Sequence, residues 1–89
     1  MKTAPDLLTE VADTLAERGK AYDQPLGERS MKKTVRVFNI ITGNELTESE
    51  GWEFLLCLKQ VRAFSGAKLH EDSLLDAIAY AALLAESAP

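Results

Sequence analysis

Lys59 and Arg62 stand three residues apart, and Asp72 and Asp76 stand four apart, on either side of a short break containing Gly66. On α-helices both spacings bring the pair onto one face. A turn centred between Ala67 and Lys68 folds the two segments into an antiparallel hairpin that pairs positions equally distant from the centre. Lys59 is then expected opposite Asp76, and Arg62 opposite Ser73, one residue from Asp72. Two chemistries suit such a group. Charges of opposite sign can fix the register of a hairpin, because a partly buried charge deprived of its partner is costly. Alternatively, carboxylates are hard oxygen ligands for Mg²⁺, while Lys and Arg bind the substrate phosphates that the metal bridges. On that view Lys59 and Arg62 are candidate phosphate ligands, and Asp72 and Asp76 candidate metal ligands. An acid at position 72 is also favoured by the dipole of the helix it opens.

Other side chains with chemical potential are weighed against plainer roles. Glu10, Asp13 and Glu17 share one side of the first segment, as candidate acids or as a solvated face opposite an apolar stripe. Arg29, Lys32, Lys33 and Arg36 form a basic stripe suited to phosphate, nucleic acid or an acidic partner. His70 beside Glu71 and Asp72 suggests a histidine–carboxylate metal site, or a solvated turn residue. Cys57, between Leu56 and Leu58, is expected to be a small buried apolar residue and not a nucleophile. Tyr80 follows Asp76 by one turn, so it belongs to the core or stacks a nucleotide base beside the charge cluster.

Four helices are predicted to position these groups. Leu7, Leu8, Val11 and Leu15 recur at helical spacing between Pro5 and Gly19, giving a helix from Asp6 to Arg18. Two glycines and Pro25 then predict an irregular loop that anchors Tyr22 and Leu26. Met31, Val35, Phe38 and Ile41 give a second helix from Glu28 to Thr42, ended by Gly43. The β-branched residues between Thr34 and Thr42 also permit a strand. Thr47 with Glu50 has capping-box spacing and opens a third helix from Glu48 to Ser65. A fourth, from Glu71 to Glu86, carries a wide apolar surface rich in alanine. The predicted fold is a small all-α antiparallel bundle of about four helices, in one domain spanning 1–89.

Composition bounds the function. Of 89 residues, 46% are apolar and 27% charged, which is globular composition. A formal net charge of -4 disfavours wholesale binding of nucleic acid or of an anionic membrane. One cysteine forms no internal disulfide, and no run approaches the ~20 apolar residues of a membrane span. A soluble cytoplasmic protein is expected. Trp52, Phe54 and Phe64 cannot all face one core, and two wide apolar helices in so short a chain leave surface over. A homodimer, with the third or fourth helix at its interface, is therefore expected.

Two stretches, "ERGKAYDQPLGER" and "LKQVRAFSGAKLHEDSLLDAIAYAALLAE", resemble small uncharacterised proteins of bacteriophages and prophages that look like distant members of the MazG-like, all-α nucleotide pyrophosphatase group. The matching residues are Gly19, Lys20, Tyr22 and Pro25, then Lys59 and Arg62, then Asp72, Asp76, Tyr80 and Ala81. The resemblance implies Mg²⁺-dependent cleavage of a nucleoside triphosphate to monophosphate and pyrophosphate, with Asp72 and Asp76 as the second acid motif. It also suggests Tyr22 and Tyr80 as nucleotide contacts. The spacing Asp-x-x-x-Asp departs from the group's Glu-x-x-Asp, and the first motif, Glu-Glu-x-x-Glu, has no counterpart here. A nucleotide-directed role is one expectation. The other is a phage accessory protein, without catalysis, that binds and inhibits or redirects a host protein.

Overall fold

Thr47 starts the third helix with a reciprocal cap: its side chain accepts from the Glu50 N–H at 3.1 Å, and its own N–H donates to Glu50 Oε1 at 3.0 Å. Together these satisfy two donors that a helix start otherwise leaves open. In the computed structural model, which describes residues 1–21 and 30–88, the elements are α1 (Ala4–Ala21), α2 (Met31–Thr42), α3 (Glu48–Phe64) and α4 (Glu71–Ser87). The fold is all-α, a small four-helix bundle with no strand among the described residues.

The β-branched run is helical, ending as expected at Gly43, whose φ of 72° is left-handed and whose N–H donates to Asn39 O at 2.8 Å. Asn39 also clamps the loop beyond, donating to Leu46 O at 2.9 Å and accepting the Leu46 N–H at 2.8 Å. These two hydrogen bonds tie the loop that leads into α3 back onto α2. At the other end of α2 the first described helical residue is Met31, with Ser30 as its N-cap; Glu28 and Arg29 lie outside the described residues. Helix α1 departs from expectation. It continues through Gly19, which is buried, to Ala21, so the glycine's low helix propensity does not end it.

The helices pack in the order α1, α4, α3, α2, with the α3–α4 hairpin at the centre. Its core holds Trp52, Leu83, Met31 and Val35, with Tyr80 and Leu55 against them. The reflection that pairs Lys59 with Asp76 also carries Trp52 onto Leu83, so one register aligns the apolar and the charged layers. Ser49 and Ser87 close the far end through their hydroxyls, 2.9 Å apart.

Gly51 sets how closely α2 approaches. A Cβ there would meet the Met31 thioether and lie 2.7 Å from Val35 Cγ1, too close for either side chain to stay in place. Gly51→Ala is therefore expected to destabilise the chain by about 1–3 kcal/mol through overpacking. The better helix propensity of alanine offsets ~1 kcal/mol of the clash. Urea titration checks the net sign, and a variant as stable as the wild type would mean that α2 moves aside without cost.

Candidate functional site

The hairpin brings Lys59 and Asp76 together: Lys59 Nζ lies 2.8 Å from Asp76 Oδ2. Both are half-buried, with side-chain exposures of 17% and 29%. An ion pair so screened from water is stronger than an exposed one, worth ~0.2–1 kcal/mol, and dearer to break. The turn is fixed by the His70 N–H, which donates to Ala63 O at 3.0 Å.

A third charge comes from α1, where an Arg18 guanidinium nitrogen lies 3.7 Å from Asp76 Oδ1. Arg18 marks only a helix end in the sequence, and no local pattern announces its role. It reaches Asp76 because α1 packs on α4. Beside this pair a cleft of about 290 Å³ opens between α1 and α4, bordered by Glu10, Thr14, Arg18, Asp72 and Asp76 over an apolar floor that includes Val11. Asp72 and Asp76 thus share one face, as their spacing requires, and the acid that joins them from α1 is Glu10. Glu10 also accepts from Lys2 Nζ at 2.8 Å.

Arg62 is placed differently. It is exposed near the end of α3, and among the described residues no ion pair joins it to Asp72. The residue opposite it, Ser73, is buried and engaged by His70, whose Nδ1 lies 2.7 Å from Ser73 Oγ and accepts the Ser73 N–H at 3.3 Å. His70, exposed at the turn as expected, is thereby also the N-cap of α4. Asp72 stands exposed in the first turn that this cap begins.

Tyr80 lies with its ring on Trp52, centroids 5.8 Å apart and planes inclined by 29°. One ring face is thus engaged in the core. Tyr22 and Pro25 lie outside the described residues, as does the side chain of Lys20. Cys57 corrects an expectation: it is exposed, because helical rotation sets it about 140° around α3 from the buried Trp52 and so away from the core. Its thiol contacts Glu53 Oε1 at 3.5 Å, and that carboxylate raises its pKa, which suits an inert thiol.

Among the described residues, no three His, Cys, Asp or Glu side chains are grouped to hold a metal by themselves. Asp72 and Asp76 both border the cleft; Mg²⁺ is commonly held by one or two carboxylates and completed by water and substrate phosphates. Among the described residues, no helix is long and apolar enough to cross a membrane. No protein-family model, curated protein or solved structure matches the chain.

Proposed function

We propose that the chain is a phage-type, MazG-like helical protein with a nucleotide-directed role, binding a nucleoside triphosphate with Mg²⁺ and cleaving it to monophosphate and pyrophosphate. The observation that carries this is one open cleft between α1 and α4 bordered by Arg18, Asp72 and Asp76, with Lys59 of α3 on the Asp76 carboxylate. Asp72 and Asp76 are the metal ligands. When bound, Mg²⁺ neutralises phosphate charge and lowers the pKa of a bound water. Lys59 and Arg18, which both contact Asp76, would bind the phosphates, and the exposed Arg62 farther along α3 would offer a further cation.

The test is release of pyrophosphate from the common ribo- and deoxyribonucleoside triphosphates, with and without Mg²⁺, in wild type and Asp72→Asn. Mg²⁺-dependent release lost in the variant is expected. The exposed Asp72 leaves stability within about 0.5 kcal/mol of wild type. Absence of release from every triphosphate would remove the catalytic part of the proposal. A second role, as an accessory protein that binds and redirects a host protein, would draw on the apolar side chains exposed on α2 and α3 only where no second copy of the chain covers them.

A further inference from the structure

The largest feature outside the charged cleft is apolar. Phe54, Leu58, Val61 and Phe64 run along α3 at helical spacing on the side away from the core, and all are exposed. Across a groove of about 700 Å³ Phe38 of α2 faces Phe54, and Val37, Ile40 and Ile41 are exposed elsewhere on α2. Exposures run from 37% at Leu58 to 77% at Ile40 and Ile41. At ~150 Å² for each large side chain, the exposed parts of Phe38, Phe54, Leu58, Val61 and Phe64 come to roughly 430 Å². That is the size of the largest, often functional, apolar patch on a typical monomer, ~300–600 Å². It supplies about half of the ~800 Å² per partner of a standard stable interface, the rest falling to a polar rim.

Charge around the patch identifies the occupant. Glu45 and Glu50 line the groove beside Phe38 and Phe54, Glu53 adjoins Phe54 in the sequence, and Lys32, Lys33 and Arg36 are exposed on α2. A surface with both signs is self-complementary, as an isologous interface must be. The sign also changes along α3: Glu48, Glu50 and Glu53 lie at its start, Arg62 in its last turn and Lys68 just beyond. A parallel pairing of two α3 helices would stack like charges, whereas an antiparallel pairing sets opposite charges level.

We propose that this face is covered by a second copy of the chain, the two α3 helices lying antiparallel about a two-fold axis near Cys57 and Leu58. That axis bisects the stripe from Phe54 to Val61 and sets Glu53 level with Arg62 of the second copy. It also brings the two Cys57 thiols together, which supplies a test within the native sequence. Neither the cleft nor its ligand enters this inference, so dimer and nucleotide site stand or fall separately.

Sedimentation equilibrium across the micromolar range is expected to give twice the chain mass of 9.8 kDa. Phe54→Asp and Val61→Asp, at positions exposed in the single chain, are expected to give 9.8 kDa with unchanged helical circular dichroism. A short bismaleimide, at a pH high enough to ionise a thiol whose pKa Glu53 raises, is expected to link wild type into a covalent dimer and to leave Cys57→Ser unlinked. A monomer at every concentration would overturn the proposal and leave the face to an unlike partner. A dimer that persists in both folded aspartate variants, or that resists the cross-linker, would overturn it equally.

Discussion

Trp52→Ala is expected to lower the stability of the chain by about 3–5 kcal/mol. Trp52 is 2% exposed, stacks on Tyr80 and touches both halves of the core cluster, so alanine leaves a cavity bounded by rigid helices. A domain of this size holds on the order of 5–10 kcal/mol in total, so the variant falls near the threshold of folding. Phe54→Ala is the control, since Phe54 is also aromatic on α3 but 70% exposed. In the dissociated chain its removal is expected to change stability by no more than about 0.5 kcal/mol. Urea titration of both at low concentration makes the comparison, and equal losses would contradict the assignment of the core to one side of α3.

The second large effect lies in the charged layer. Asp76→Asn is expected to cost about 1–3 kcal/mol, because Lys59 keeps a half-buried charge with its counter-charge gone. Arg18→Ala is expected to cost less, about 0–1 kcal/mol, since its contact is 3.7 Å long and more open to water. Replacing both partners, as Lys59→Met with Asp76→Leu, is expected to recover most of the loss, because a paired buried charge is about as stable as an apolar pair of its shape. The double-mutant cycle should show a coupling of about 0.5–3 kcal/mol. Additive losses would mean that Lys59 and Asp76 do not depend on each other.

Much of this arrangement was legible because it depends on short-range rules. Thr47 and Glu50 announce the start of α3, Gly43 announces the end of α2, and the position of the α3–α4 turn is enough to set Lys59 against Asp76. Contacts between elements distant in the chain leave no such mark. Arg18 joins Asp76 only because α1 returns to lie on α4. Arg62 shows where equidistant pairing fails: it predicts levels along a hairpin, but not that His70 would claim Ser73 and leave the arginine outside. For Cys57 the neighbouring leucines mislead, since helical rotation, not adjacency in the chain, decides exposure. Phage origin, MazG-like ancestry and the nucleotide itself rest on the resemblance and remain proposals.

Either role for the charged layer accounts for the Lys59–Asp76 contact; only ligand binding separates a site from a clamp. The most direct measurement is the melting temperature of the purified protein against linear and cyclic nucleotides, each with and without Mg²⁺. A ligand specific to the native state at one hundred times its Kd adds about 2.7 kcal/mol. The expected result is a rise with one nucleotide class that requires Mg²⁺ and disappears in Asp72→Asn. No rise with any nucleotide at saturation would contradict the proposed site and leave Lys59 and Asp76 as the lock of a helical hairpin.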